Sequence, residues 1–171
     1  MSQALPNITG PVFNLDEKTI EAGLEASRES KRLRMILPLH RTQDAKVQRM
    51  INFLQPGTYI QPHLHPLDHA VESILLVQGA LTFFTFDDEG NVDNQYNLDI
   101  KKGTCLLDME PRIWHNFIVT KPDTIIFEVK RGPYDPETDK TFADWAPKEG
   151  SGEAGDYLSF LERFNRNGYE R

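Results

Sequence analysis

Apolar and polar positions divide the chain into three stretches. After a lead-in through residues 1–13, which carries Pro6, Gly10 and Pro11, residues 15–32 read as a helix. Asn14 stands at the N-cap, Glu17 is the reciprocal capping acid three residues on, and Lys31 and Arg32 lie where the helix dipole favours positive charge. Ile20 and Leu24 give it only a thin apolar stripe, the mark of a helix lying on the edge of something larger. From residue 34 the pattern changes to short β-branched and aromatic runs broken by Gly, Pro and Asp. It predicts strands at 34–39, 46–54, 58–63, 71–78, 80–86, 95–99, 104–108, 113–119 and 124–130, a spacing typical of a β-sandwich or barrel. Asp87-Asp88-Glu89-Gly90-Asn91 and Lys101-Lys102-Gly103 mark turns. After Arg131-Gly132-Pro133 the sequence is irregular, yet Tyr134, Phe142 and Trp145 predict that it lies on the barrel, with a packing role for Trp145. A final amphipathic helix over 156–165 places Leu158, Leu161 and Phe164 on one face.

This reading makes 1–33 an extension with a packing helix, 34–131 the barrel, and 132–171 an irregular wrap with a short helix, all within one domain. A chain of 171 residues buries enough surface to need neither disulfides nor a structural metal, so a metal here would be functional. The single cysteine, Cys105, forms no internal bridge and lies in an apolar strand without the signature of a nucleophile. With 19 basic against 26 acidic residues the formal charge is −7, which argues against nucleic-acid binding. No apolar run approaches the ~20 residues of a membrane helix, and the start lacks the regions of a signal peptide, so the expectation is a soluble, cytoplasmic protein. No Gly-x-Ser-x-Gly elbow, phosphate-cradling loop or dinucleotide fingerprint is present.

Histidines carry the remaining chemistry. His63, His65 and His69 fall in PHLHPLDHAVE, and His115 in PRIWHNF. Side chains at i and i+2 of a strand point the same way, so His63 and His65 present two imidazoles to one point inside a barrel. Glu72 and His115 complete a set of three imidazoles and a carboxylate, suited to one divalent transition metal such as Fe, Mn, Ni or Zn with open positions for substrate.

Gly57-x5-His63-x-His65 followed by Glu72-x6-Gly79 resembles the first metal-binding motif of the cupin superfamily, and Gly103 through Pro111 to His115 is similar to the second. More narrowly, the segments around RMINFLQPGTYIQPHLHP, FDDEG, PRIWH and FEVKRGPYDPETDKTFADWAP resemble the WbuC family of cupin-fold metalloproteins, whose members often lie in bacterial polysaccharide gene clusters. The resemblance covers about residues 30–148. It implies a mainly β fold, a double-stranded β-helix or jelly-roll barrel, with metal ligands at His63, His65, Glu72 and His115, and it makes a homodimer plausible. The six residues between His65 and Glu72 exceed the family's usual spacing. Either the turn is lengthened and Glu72 ligates, or His69 takes the fourth position or serves as an acid/base beside the metal.

Around the metal, His40 is a second proton-moving candidate, and Gln48, Arg49, Arg112, Lys130 and Tyr134 are candidates for holding substrate. Alternation places Val47, Arg49, Ile51 and Phe53 on one face of their strand and Gln48, Met50 and Asn52 on the other, without saying which face points inward. The implied function is a metal-dependent enzyme of isomerase, epimerase or oxygenase type acting on a small polar or anionic metabolite, such as a sugar, nucleotide sugar or related acid. The alternative is a non-catalytic metal-containing binding or sensor module.

Overall fold

The computed structural model describes residues 4–167. Its strands are β1 (Arg34–Pro38), β2 (Val47–Leu54), β3 (His63–Leu64), β4 (Glu72–Gln78), β5 (Ala80–Phe86), β6 (Val92–Asp99), β7 (Leu106–Met109), β8 (Trp114–Val119), β9 (Thr124–Arg131) and β10 (Thr141–Phe142). They form two five-stranded antiparallel sheets, ordered β1-β2-β9-β4-β7 and β10-β3-β8-β5-β6. The two sheets face each other as a jelly-roll barrel, and helices α1 (Glu17–Glu29) and α2 (Ala154–Asn167) each cover one outer face.

Each apolar stripe has its own destination. Leu54, Ile74, Leu76, Phe83, Phe117 and Ile126 fill the space between the sheets. Leu24 of α1 packs on Leu37, Ile51, Phe53 and Ile125 of the first sheet's outer face. Leu158 and Leu161 of α2 pack on Phe84, Phe86 and Ile118 of the second. With both faces covered, β5 is apolar almost without interruption, where a half-solvated strand would alternate.

The helix begins two residues later than the sequence suggests. Asp16, not Asn14, is the N-cap, because its carboxylate accepts from the backbone N–H of Thr19 at 2.9 Å and from its hydroxyl at 2.6 Å. The helix ends at Glu29, so Lys31 and Arg32 lie beyond it. Within the predicted strand 58–63 only His63 pairs in a ladder. The preceding residues have other partners: Thr58 and the Tyr59 carbonyl accept from the Arg34 guanidinium, and the Ile60 carbonyl accepts from the Asn116 amide. Strand β10 lies inside the stretch read as irregular and pairs with β3. Trp145 packs on Phe86 and Trp114, as the sequence suggested. Among the described residues no helix is long and apolar enough to cross a membrane.

Gly79, between β4 and β5, has a φ of +85°, and a Cβ there would lie 2.8 Å from the Thr124 backbone. Gly103 has a similar φ of +76° with open space around it. Gly79→Ala should therefore lower unfolding stability by roughly 2 kcal/mol or more, and Gly103→Ala by only about 1 kcal/mol, the cost of the left-handed backbone alone. Denaturant unfolding of the two variants checks this; equal losses would remove the Thr124 contact from the account.

Candidate metal centre

Two strand pairings bring the histidines together. His63 on β3 lies directly opposite His115 on β8, and His65 follows two residues later on the same side. One nitrogen from each of the three rings falls within 4.8 Å of the others. Glu72 opens β4 in the opposite sheet, and its Oε2 lies 3.2 Å from His65 Nε2 and 3.5 Å from His115 Nε2. All four are buried, none more than 6% exposed.

The remaining nitrogens determine the tautomers. Nδ1 of His63 lies 3.0 Å from the Gln61 carbonyl, Nδ1 of His65 2.6 Å from the Asp139 carbonyl, and Nδ1 of His115 2.9 Å from the Ile113 carbonyl. A carbonyl oxygen only accepts, so each Nδ1 carries the hydrogen and each neutral ring turns an Nε2 lone pair inward. Burial holds His63 well below the usual histidine range. It also pushes His115 down to about 4, against the pull of the Glu72 carboxylate. Burial favours the protonated form of Glu72, but positive charge, from Lys140 or from His65 and His115 whenever they carry a second proton, outweighs it and holds the group below the usual carboxylate range. Neutral imidazole lone pairs facing a carboxylate at these distances repel unless a cation lies between them. The donor set, three imidazoles and one carboxylate, is the kind that accepts a divalent first-row metal. The Nδ1–H to carbonyl bonds are the outer contacts that commonly orient such ligands.

A cavity of about 370 Å³ lies between β1, β2 and β9 and the segment 134–149. The four converging residues are not in its wall but adjoin it. Lys130 in the wall is the register partner of Glu72, and the ring of Phe142 lies 6.0 Å from that of His63. The inward face of β2 is the one carrying Gln48, Met50, Asn52 and Leu54. On β9, Glu128 accepts from the Asn52 amide at 2.9 Å, and Lys130 pairs with Asp139. Burial, followed by the nearby Glu72 carboxylate, pushes Glu128 up to about 7. Burial alone would lower Lys130, but Glu128 and Asp139 raise it on balance. A separate groove of about 500 Å³ opens beside β6 and β7, away from the cavity, with Asp87, Asp88, Asp93, Asp108 and Glu110 in its lining.

The candidates named from sequence separate accordingly. His40, Gln48, Lys130 and Tyr134 line the cavity, with Lys130 lying 5.6 Å from the centre of the Tyr134 ring. Gln48 is engaged by the Gln43 and Ala45 carbonyls, and His40 by the Arg49 main chain. Arg49 is on the outer face and exposed, because alternation along β2 turns it away from Gln48. Arg112 is exposed and pairs with Asp68 at 2.5 Å, so it ties down the turn after His65 and does not reach the cavity. His69 is exposed in that same turn, while Glu72 occupies the position beside the imidazoles. Glu128, Asn52, Asp139 and Lys140 were missed. A glutamate within the apolar run of β9 was a visible signal, whereas Asp139 and Lys140 lie in a stretch with no pattern.

Residues 15–98 match a family described as a domain of unknown function, DUF6016. The match takes in His63, His65 and Glu72 but stops short of His115. No curated protein matches the sequence. Among solved structures the chain resembles the capsular polysaccharide assembling protein CapF from Staphylococcus aureus, with 18% identity and a TM-score of 0.51 over 63% of this chain and 29% of that one. It also resembles the formate complex of Lactobacillus farciminis oxalate decarboxylase, with 18% identity and a TM-score of 0.44 over 57% and 26% of the two chains. A third is oxalate oxidase in complex with glycolate, with 11% identity and a TM-score of 0.49 over 67% and 57%. The chain thus spans between about a quarter and three-fifths of the length of these proteins. The CapF likeness supports the cupin fold.

Purified without added metal or affinity tag, the protein should carry about one equivalent of a divalent transition metal. His63→Ala/His65→Ala should lose it, and Glu72→Ala should hold it more weakly, as read by elemental analysis. Undiminished occupancy in the Glu72 variant would remove that residue from the ligand set.

Stability of the metal-free protein should fall on acidification. Between the ordinary histidine value of 6.5 and about 4, the unfolded chain binds protons at His63 and His115 that the folded chain refuses. Glu128 acts in the opposite direction, because between about 7 and its ordinary 4.5 the folded chain binds the extra proton, a contribution lost as pH rises. Glu128→Gln should therefore steepen the loss of stability from pH 6.5 down to about 5 in denaturant titrations. An unchanged slope would contradict the protonation assigned to that carboxyl.

Proposed function

We propose that the chain is a metal-dependent enzyme that holds one divalent transition metal at His63, His65, Glu72 and His115 and acts on a small polar metabolite admitted through the adjoining cavity. The observation that carries this reading is the tautomer set: three Nδ1–H groups committed to main-chain carbonyls leave three Nε2 lone pairs converging beside a buried carboxylate. A centre that served only to hold the fold would be unnecessary in a barrel whose core already packs tightly between and outside its sheets. The narrower resemblance to the WbuC family belongs to this proposal, as does a sugar, nucleotide sugar or related acid as substrate.

A divalent metal bound there supplies Lewis acidity, polarising a carbonyl or hydroxyl oxygen of the substrate. The chain supplies the rest. The main-chain carbonyls of Gln61, Ile113 and Asp139 fix the ring planes, so the ligands need no reorganisation when substrate arrives. Phe83 stacks on His115 at 5.4 Å, and the Phe142 ring lies 6.0 Å from that of His63, so each of these imidazoles has an aromatic neighbour. Glu128, with a carboxyl tuned to about 7 at the cavity wall, is suited to hold or release a proton near neutral pH. His40 in the same wall is a second proton carrier.

The test is chemical. Metal-loaded protein incubated with panels of sugars, sugar nucleotides and hydroxy or keto acids should convert at least one of them, as read by mass spectrometry. His115→Ala should abolish that turnover while leaving the circular dichroism spectrum unchanged. A compound that binds tightly and is recovered unaltered under all metals and atmospheres would move the reading to a ligand-binding module.

A further inference from the structure

The cavity wall carries an unmatched charge. Four cationic side chains line it, Arg32, Arg34, Lys130 of β9 and Lys140 before β10, and all but Lys140 have carboxylate partners; Arg32 shares Glu149 with Arg34. Arg34 pairs with Glu149 at 2.6 Å, and Lys130 pairs with Asp139. Lys140 lines the same cavity and forms no ion pair among the described residues. Glu128, the other acid in the wall, is engaged by the Asn52 amide. Glu128, Glu72 and Asp139 act on this half-buried ammonium through space, but none of them pairs with it directly, so the cavity side of Lys140 is open to a further anion.

The position of Lys140 is as specific as its charge. Its preceding residue, Asp139, holds His65 through its carbonyl and Lys130 through its carboxylate. The residues that follow it, Thr141 and Phe142, pair with Leu64 and His63 in β10. Lys140 is therefore carried on a short segment anchored on both sides to the imidazole cluster, which keeps its stem close to the centre. A ligand that reaches both is small, and the volume of about 370 Å³ agrees with that.

Resting on the metalloenzyme reading above, we propose that the substrate carries a single carboxylate, that Lys140 recognises it, and that a neighbouring hydroxyl or carbonyl oxygen of the same molecule is presented to the centre. One unmatched lysine answers one negative charge. A phosphate dianion would bring a second negative charge to a wall whose other cations are already held by Glu149 and Asp139. Lys140 is on this account a specificity-determining residue, acting at the far end of the substrate from the histidines.

The test uses full-length protein loaded with Mn(II), its content verified by elemental analysis, and titrated calorimetrically with sodium glycolate, with glycolamide as the uncharged isostere, and with inorganic phosphate. Glycolate should bind most tightly, and glycolamide and phosphate each roughly tenfold or more weakly. Lys140→Gln should weaken glycolate by roughly tenfold or more with metal content unchanged, and Lys140→Arg should retain most of the affinity. Equal glycolate affinity in wild type and Lys140→Gln, or tighter binding of phosphate than of glycolate, would overturn the proposal. Should Lys140→Gln fold poorly by thermal melting, the glycolate against glycolamide comparison in wild type decides alone. Failure of the wild type to take up any metal would defeat the metalloenzyme reading instead. In that event a thermal shift of the metal-free protein with glycolate, absent in Lys140→Gln, would uphold the carboxylate site, and no shift would overturn it.

Discussion

Three hydrogen bonds from imidazole Nδ1 to main-chain carbonyls govern the rest of this structure. They fix where the protons lie, and hence that the Nε2 lone pairs face inward toward one another and toward Glu72. Two of the carbonyls are local: Gln61 and Ile113 each stand two residues before the histidine they hold. The third comes from Asp139, 74 residues away from His65. The segment that follows the last long strand is thereby part of the site, since without it one ring would lose its orientation.

That dependence explains the placement of the surrounding charges. Asp139 cannot leave the barrel without releasing both His65 and Lys130, because its carbonyl serves one and its carboxylate the other. Lys130 is in turn the register partner of Glu72, so the sheet itself places a cation beside the buried carboxylate. Glu128 occupies the next inward position of β9 and stays tolerable in the interior through the Asn52 amide and through its preference for the protonated form. Two places stand out: the inward-facing nitrogens look onto a carboxylate, and Lys140 forms no ion pair among the described residues although Glu128, Glu72 and Asp139 act on it through space. These are the places where a cation and an anion would complete the arrangement.

The fold was legible because its signals are periodic. Strands at regular intervals gave a β-sandwich or barrel, which the family resemblance narrowed to a jelly-roll, and His63 and His65 were visible because a strand turns residues two apart to the same side, with His115 added from a later strand. Errors fell where tertiary contacts override local pattern. Residues 58–62 have strand-like composition, yet Thr58, Tyr59 and Ile60 bond to Arg34 and Asn116 and not to a neighbouring strand. The orientation of β2 was undecided in sequence because both faces are buried for much of its length, one against the cavity and one against α1. Arg49 and Arg112 carry the right charge for an anion site but lie outside it, one by strand parity and one by its bond to Asp68. Lys140 had no local signal at all, since a two-residue strand within a Pro-rich and acidic stretch leaves no period to read.

The extra length between His65 and Glu72 shows how a motif absorbs an insertion. The added residues are taken up in a surface turn, where the Ala70 N–H donates to the Leu67 carbonyl at 2.9 Å and His69 points to solvent. Arg112 closes the turn from outside: its backbone N–H donates to the His65 carbonyl at 3.0 Å, and its side chain reaches the Pro66 carbonyl and Asp68. Arg112 adopts a φ of 66°, a left-handed backbone that non-glycine residues enter only when held there. Glu72 meanwhile keeps its ladder positions opposite Met109 and Lys130, so the insertion changes the loop without moving the carboxylate. Spacing along the chain is thus a weaker constraint on this centre than register across the sheet. Arg112, a candidate for holding substrate, instead ties down that loop.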